Sequence, residues 1–271
     1  MICPFYTMQR WVDVQGKIKQ YFSFKKKELR DIFAAVLALS FIISFTQWGG
    51  DFFSFTSGAY NWFNSAIIVL FVIITTNSVQ RLVGLYMGYE VEYQAWMTGL
   101  VVSLLAIFLS RGTVWVLLPG GIIVHHLSAH RVGHHRYGLD YYKYSLISFS
   151  GTLAALFLAI IFRLLGQLSS SSLVDSLVFF CVVYAIYDIL PLPALTGGKL
   201  FFGSRMMYVF GAALVIITGV LLLTDLNIFL ILFLGLSLAV ICWVLYYVGV
   251  ERYLWKGPYG GGYAPKWSKK K

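Results

Sequence analysis

Charged residues are scarce in this chain, and acidic residues are the scarcest of them. Only 12% of the 271 residues are charged, with 11 acids against 21 bases, while 59% are hydrophobic. The mean hydropathy is +0.77. Because soluble globular domains carry about 25% charged residues, this composition excludes that class. It indicates a protein that crosses the membrane several times.

Cysteines are also few, and they lie far apart. The chain has only Cys3, Cys181 and Cys242. This spacing favours neither a disulfide framework nor a zinc ribbon, so we interpret them as small packing residues. The first thirty residues lack an apolar core before a small-residue cleavage site, and the sequence therefore predicts no removable signal peptide.

The net charge of +10 is concentrated in the two tails. The positive-inside rule and attraction to anionic lipid headgroups explain basic tails beside apolar spans, so we expect lipid and not nucleic acid as their partner. We divide the chain into a basic cytoplasmic arm (1–30), a membrane domain (31–248) and a basic tail rich in Gly and Tyr (249–271). We expect the tail to be disordered.

Seven apolar segments follow one another between the tails. Six have the length and composition of membrane spans, namely 31–47, 62–87, 144–165, 173–190, 206–223 and 228–248. The seventh, 95–109, is shorter. Seven crossings would place the two basic tails on opposite sides of the membrane, which the charge rule disfavours. We therefore predict a six-span, all-α bundle in the cell membrane with both termini cytoplasmic and segment 95–109 re-entrant or interfacial.

A short β structure is predicted between the second and third spans. Residues 89–93 alternate strictly, with Glu90 and Glu92 on one side and aromatic residues or Val on the other, which is typical of a strand. Segment 113–118 is also β-prone, and 122–124 follows a Pro-Gly-Gly break. We predict a small β-hairpin at the cytoplasmic edge of the bundle.

The most unusual stretch runs from Asp188 to Lys199. It contains Pro191, Pro193 and a glycine pair, and such residues cannot continue a helix. Irregular backbone at membrane depth is tolerated only where protein or a water-filled cavity satisfies its polar groups, so a break of this kind marks a site. Asp188 is either a functional ionisable residue within the membrane or the end of a helix that has reached the aqueous interface.

Several blocks, taken in order, resemble one known family. The run 87–93 is similar to the segment after its HExxH helix, and 118–121 to its membrane-edge hairpin. Residues 150–155 stand where it carries a G-P-x-x-N helix start, and 190–198 resembles its N-x-x-P-x-P-x-L-D-G-G motif. Over roughly 26–248 the chain thus resembles the site-2 protease family of intramembrane zinc metalloproteases, and most closely its archaeal type.

The resemblance implies where a zinc centre would lie and that its residues have been replaced. By the family spacing, the two histidine ligands correspond to Thr76 and Gln80, the general base to Asn77, and the aspartate ligand to Thr196. Thr and Gln are poor zinc ligands, and an amide cannot take a proton from water. The chain departs from the family again at Thr152, Ala155 and Asp188. We therefore predict no catalytic residue, no cofactor and a pseudoprotease.

The five histidines, all between His125 and His135, support an alternative. On a helix, His126, His130 and His134 would share one face and could bind zinc. The interpretation we favour is a solvated cytoplasmic loop that meets lipid headgroups, because Gly133 weakens a helix there.

These observations lead to one preferred function and two alternatives. We expect a non-catalytic scaffold whose polar cavity, around Thr76, Asn77, Gln80, Asp188 and Thr196, binds transmembrane segments of clients or partner subunits. The binding residues also include Asp188, Pro191, Pro193, Gly197 and Gly198 at the break. Glu90 and Glu92 are added because the resembled family presents an unwound substrate at this sheet edge. The alternatives are an active zinc protease with ligands from the histidine cluster, and a small transporter or channel that uses the broken helix.

Overall fold

A computed structural model describes residues 4–48, 54–127, 140–168, 172–224 and 226–252. These residues are mostly α-helical and include one two-stranded antiparallel sheet. The helices are α1 (Pro4–Tyr21), α2 (Lys26–Ser44), α3 (Phe55–Met87), α4 (Met97–Leu109), α5 (Tyr141–Leu168), α6 (Ser172–Asp188), α7 (Thr196–Gly203), α8 (Arg205–Leu222) and α9 (Ile228–Tyr246), and a π-helical turn, Tyr247–Glu251, follows α9. The strands are β1 (Tyr89–Ala95) and β2 (Gly120–His126).

Four of the described helices are long enough and apolar enough to cross a membrane. They are Phe55–Met87, Tyr141–Gln167, Arg205–Leu222 and Ile228–Glu251, which correspond to α3, α5, α8 and α9 with its π turn. Many large apolar side chains on these helices are exposed, as expected of surfaces that meet lipid. The predicted mostly helical membrane protein is therefore confirmed at this level.

The prediction of six spans is not confirmed, because two predicted spans differ from the helices observed. Segment 31–47 overlaps α2, which begins at Lys26, ends at Ser44 and carries several charged residues in its first turns. Segment 173–190 corresponds to α6, which has 17 residues. Helix α2, with 19 residues, is long enough but too charged at its start, and α6 is too short.

Helix α4 corresponds to the short seventh segment. Its 13 residues extend roughly 20 Å, whereas the hydrocarbon core of a bilayer is about 30 Å thick. It packs against α2 and buries Ser103 and Ile107. The helix is therefore too short to cross the membrane by itself.

The two-stranded sheet confirms the predicted strands and extends both of them. Its register runs from Tyr89 opposite His126 to Ala95 opposite Gly120. Gly88 ends α3 in the left-handed conformation, at φ 86°, which is favourable only for glycine and turns the chain into β1. Along β1, buried and more exposed residues alternate as the sequence predicted.

The predicted hairpin is wrong in its connection. Helix α4 and an irregular segment separate the two strands, and the β-prone segment 113–118 is not a strand. In this connection, two backbone carbonyls accept hydrogen bonds from tyrosine hydroxyls and not from a neighbouring strand. Tyr187 donates to the carbonyl of Trp115, and Tyr93 donates to that of Pro119. The backbone therefore does not need a partner strand there.

The sequence predicted a helix break from the prolines to the glycine pair. The structure has non-helical backbone at the prolines but a helix at the glycines. Helix α6 ends at Asp188, and the chain is irregular through Pro191 and Pro193. Gly197 and Gly198, however, lie in the first turn of α7. A Cβ at either position would overlap backbone of the segment 189–193, so these glycines permit close packing of α7 on that segment.

The described helices pack so that α3 and α5 are central. Helix α3 contacts α2, α5 and β1, while α5 also contacts α6, α7 and α8. Ile73, Phe180 and Leu200, contributed by α3, α6 and α7, are among the residues that fill the core. The junction of these three helices with α5 is where the predicted site residues meet.

Candidate functional site

A buried polar cluster lies where α3, α5, α6 and α7 meet. Its six members, called the polar cluster below, are each at most 4% exposed: Thr76, Asn77, Gln80, Thr152, Asp188 and Thr196. Burying polar groups costs free energy unless they are hydrogen-bonded. The partners of each side chain therefore define what the cluster can do.

Asp188 is the only carboxylate of the polar cluster, and both of its oxygens accept hydrogen bonds. Thr152 Oγ1 donates to Asp188 Oδ2 at 2.5 Å, and the Thr196 hydroxyl donates to Oδ1. Thr196 is the first residue of α7. The carboxylate thus ties the end of α6 to α5 and to the start of α7 across the proline break.

The α3 residues of the polar cluster bind mainly to backbone. Thr76 Oγ1 donates to the carbonyls of Val72 and Ile73 at 2.9 and 3.0 Å. Asn77 Nδ2 donates to the Ile73 carbonyl at 2.8 Å. Gln80 Nε2 donates to the carbonyl of Ser148 on α5, at 3.4 Å. These side chains already have protein partners and do not form an open ligand set.

Two contacts connect these α3 residues to Asp188. Thr76 lies beside Tyr184, which is one helical turn before Asp188 on α6. Gln80 packs against Gly151 so closely that a Cβ there would overlap its side chain. Gly151 adjoins Thr152 on α5, and Thr152 donates to Asp188. Thr76, Asn77, Gln80 and Thr196, the four positions singled out by the predicted resemblance, therefore lie in one buried polar region.

The donors of the polar cluster do not fit a zinc centre. A zinc site uses three or four Cys, His or carboxylate ligands, whereas the cluster offers one carboxylate with hydroxyl and amide groups. Among all described residues, no group of three or more His, Cys, Asp and Glu side chains is placed to hold a metal ion. Asn77 also provides no general base.

The alternative zinc site required His126, His130 and His134 on one helix, and His126 does not lie on a helix. His126 is the last residue of β2, where its ring lies 5.1 Å from that of Tyr89, and it is not on a helix. Side chains four residues apart are neighbours on a helix but not along a strand. His130, His134 and His135 lie outside the described residues.

A cavity of about 440 Å³, called the edge cavity below, lies between β2 and the segment after the proline break. Residues 121–124 form one wall, and Pro193, Ala194 and Lys199 form the other. Gly121 is where the walls approach most closely, since a Cβ there would lie 2.6 Å from the Ala194 carbonyl oxygen. Pro193 thus lines the edge cavity. The polar cluster, which the sequence predicted to form the cavity, contributes no residue to that lining and is closed by its own hydrogen bonds.

The backbone of β2 presents hydrogen-bonding groups to the edge cavity. Lys199 Nζ donates to the Ile122 carbonyl, so the peptide groups of Ile122 point away from β1. Since such groups alternate along an antiparallel strand, the N–H and C=O of Val124 also point away from β1. No described residue hydrogen-bonds these groups of Val124. Burial lowers the pKa of Lys199 to about 8, against the opposing effect of Asp188.

The outer edge of β1, in contrast, is occupied by a buried ion pair that sequence reasoning missed. Glu28 and Arg81 pair with each other while 2% and 3% exposed. Glu28 Oε1 also accepts the N–H of Tyr93 at 2.7 Å. Arg81 donates to the carbonyls of Phe22 and Ser23. The sequence did carry a signal for this pair: Arg81 lies within an apolar span, and Glu28 lies just before the first span.

Glu90 and Glu92 lie on the more exposed face of β1, as the alternation predicted. Lys25 lies between them, 2.9 Å from Glu90 and in contact with Glu92. The hydrogen bond from Lys25 lowers the pKa of Glu92, and the pair of acids raises the pKa of Lys25. Their observed role is to anchor the segment before α2 to the sheet.

Comparisons with protein-family models, with curated proteins and with solved structures find no match for this chain. The family resemblance therefore stays a prediction from the sequence. The function must be argued from the site itself.

Proposed function

We propose that this protein holds an extended segment of a membrane partner against the outer edge of β2 without cleaving it. The segment would lie in the edge cavity and add a third strand to the sheet. Recognition by strand addition uses backbone hydrogen bonds for affinity and side-chain pockets for specificity. The observation that carries the proposal is the pair of backbone groups that Val124 directs into the edge cavity.

The asymmetry of the sheet supports this assignment. The N–H of Tyr93 on the outer edge of β1 is bound by Glu28, so a partner strand is not expected there. The outer edge of β2 borders the edge cavity. Lys199 of α7 binds its Ile122 carbonyl, and no described residue hydrogen-bonds the backbone groups of Val124. An uncovered strand edge is a template for pairing with another chain.

The chemistry of the polar cluster supports the non-catalytic part of the proposal. Both oxygens of Asp188 are bound by threonine hydroxyls, and the positions that would ligate zinc are Thr76, Gln80 and Thr196. An active zinc protease would need ligands from the histidine cluster, and its two described members, His125 and His126, lie on a strand and not on a helix. A transporter would need an accessible ion site, whereas Asp188 is closed by its partners.

The proposed topology has six spans, with α2 and α6 crossing the membrane alongside the four longest helices. Both basic tails then lie in the cytoplasm, where they meet anionic lipid headgroups. The sheet and the edge cavity lie at the cytoplasmic end of α3. A partner would enter from the membrane as a transmembrane segment whose end unwinds.

Peptide binding to the purified protein in lipid nanodiscs tests the proposal. The probes are two fluorescein-labelled synthetic single-span peptides that differ only at their centre, where one has Gly-Gly and the other Leu-Leu. Glycine disfavours helix by about 1 kcal/mol per residue, so the Gly-Gly peptide unwinds more readily. We expect fluorescence anisotropy to show about tenfold tighter binding of the Gly-Gly peptide.

Two variants at one position distinguish strand addition from other binding. Val124→Pro removes the outward N–H while leaving the β1 ladder intact, because proline is tolerated at such edge positions. We expect it to bind the Gly-Gly peptide about fivefold more weakly, the effect of one lost hydrogen bond. Val124→Ala keeps the N–H and should bind as the wild type does. Equal binding of both peptides, or equal binding by both variants, would refute strand addition.

A further inference from the structure

A second cavity, of about 500 Å³, lies near the end of α3 that is remote from the polar cluster. It is bounded by the end of α2, the start of α3, the irregular segment before β2 and the start of α6. Asn64, which lines it, is separated from Gln80 by roughly 24 Å along α3. Its volume is in the range of small-molecule sites. This cavity is therefore separate from the edge cavity and would bind a different ligand.

Two aromatic rings form one wall of this cavity. Trp115 and Phe179 pack edge to face, with centroids 5.3 Å apart and an interplanar angle of 76°. The Tyr187 hydroxyl donates to the Trp115 carbonyl at 2.6 Å, which fixes the irregular segment on α6. On the opposite side, Asn61 Nδ2 donates to the Gln47 carbonyl at 3.0 Å and joins α3 to the end of α2. The cavity is thus pre-formed.

Among the described residues that line the cavity, Asp175 alone has an ionisable side chain. It lies one turn before Phe179 on α6, so the carboxylate and the aromatic ring share a helix face. No described cation forms an ion pair with it. An acid in the first turn also complements the helix dipole, but that effect does not require an aromatic cavity beside it.

We infer that this cavity binds an organic ammonium group. The carboxylate of Asp175 would neutralise the positive charge, and the rings of Trp115 and Phe179 would add cation–π attraction. An anion is disfavoured by the carboxylate, and a hard metal ion would need several oxygen ligands that aromatic rings do not supply. The ammonium group belongs either to a soluble amine or to the headgroup of a zwitterionic lipid. This inference does not depend on the proposed function of β2.

Calorimetric titration of the full-length protein in detergent tests the charge requirement. The probe is choline, and the control ligand is 3,3-dimethyl-1-butanol, which has the same shape without the charge. We expect saturable binding of choline and at least tenfold weaker binding of the neutral alcohol. Equal binding of the two would overturn the inference, and this comparison needs no variant.

Two substitutions then locate the site. Asp175→Asn and Trp115→Leu should each weaken choline binding at least tenfold. Asp140→Asn, an exposed acid at the opposite end of α5, should leave it unchanged. If Asp140→Asn weakens binding as much as Asp175→Asn does, choline binds elsewhere and the assignment is wrong.

Native mass spectrometry separates the two sources of the ammonium group. Protein released from nanodiscs of phosphatidylcholine and phosphatidylglycerol should retain phosphatidylcholine in the wild type, but not in Asp175→Asn, if the ligand is a lipid. Binding of choline without retained phosphatidylcholine would indicate a soluble amine. Absence of both choline binding and selective retention would overturn the inference.

Discussion

Asp188 shows how this chain satisfies a buried carboxylate with hydroxyl donors. Thr152 and Thr196 donate to its two oxygens, and Lys199 lies near enough to attract it. The sequence left two interpretations of Asp188 open. In the structure its side chain is 3% exposed and meets protein groups. Asp188 holds the end of α6 next to α5 and α7, because its two partners, Thr152 and Thr196, lie on those helices.

Removing one of these donors should destabilise the fold measurably. Thr152→Val keeps the shape of the side chain but leaves Asp188 Oδ2 without its hydroxyl partner. We expect a loss of about 1–3 kcal/mol in the free energy of unfolding, because a buried acceptor becomes unsatisfied. Denaturation in mixed micelles measures it.

Thr75→Val is the matched control for this change. Thr75 is less buried and donates only to the Phe71 carbonyl of its own helix. Its replacement should change the free energy of unfolding by less than about 0.5 kcal/mol. If both variants lose the same amount, the hydroxyl of Thr152 has no special role at Asp188.

The buried pair of Glu28 and Arg81 makes a second prediction at the scale of single residues. Glu28→Gln leaves Arg81 charged and buried without its acid, which should cost about 3–5 kcal/mol. Glu92→Gln removes an acid from a partly exposed pair and should cost less than about 1 kcal/mol. The same denaturation experiment compares the two. A loss that is no larger for Glu28→Gln would contradict the structural role of this pair.

At the scale of elements, the short helix α7 depends on close backbone packing. Gly198 lies against the carbonyl of Leu192 in the irregular segment between α6 and α7. A methyl group there must displace backbone, which side-chain rearrangement cannot relieve. The arrangement of α7 therefore fixes the wall of the edge cavity formed by Pro193, Ala194 and Lys199.

A Gly198→Ala variant should therefore separate α7 from that segment. We expect a loss of about 1–3 kcal/mol in the free energy of unfolding, as for other overpacked positions, and weaker binding of the Gly-Gly peptide. Gly249→Ala is the control, because no atom lies within 4 Å of a Cβ built at Gly249. The account of α7 fails if both alanine variants are as stable as the wild type.

Local patterns predicted some elements correctly, and long-range contacts explain the failures. The alternation of 89–93 and the prolines at 191 and 193 act over a few neighbouring residues, and β1 and the break are where they were expected. The start of α2 was missed because Glu28 is stabilised by Arg81, far away in the sequence. The helix at Gly197 and Gly198 was missed because their close packing is a tertiary property.

At the scale of the whole molecule, the polar cluster and the edge cavity depend on how distant parts of the chain meet. The positions 76, 77, 80, 188 and 196 were grouped by family resemblance, and the structure joins them in one region. Sequence alone could not indicate that their side chains close the region with hydrogen bonds, or that a separate cavity opens at β2. Those features depend on how four helices and the sheet meet.

The six-span topology makes a prediction for the intact cell. With the native cysteines replaced, Ser170→Cys in the segment between α5 and α6 should react with a membrane-impermeant maleimide in intact cells. Ser268→Cys in the basic tail and Ser23→Cys before α2 should react only after permeabilisation. Labelling of Ser268→Cys from outside would show that the two tails lie on opposite sides of the membrane.

The central claim is that a partner segment is held at β2 and left intact. The most direct measurement is the mass of the Gly-Gly peptide after prolonged incubation with the wild-type protein in nanodiscs containing zinc. The account predicts that the bound peptide keeps its full mass. Zinc-dependent fragments that disappear in Asn77→Ala or Thr196→Ala would contradict it.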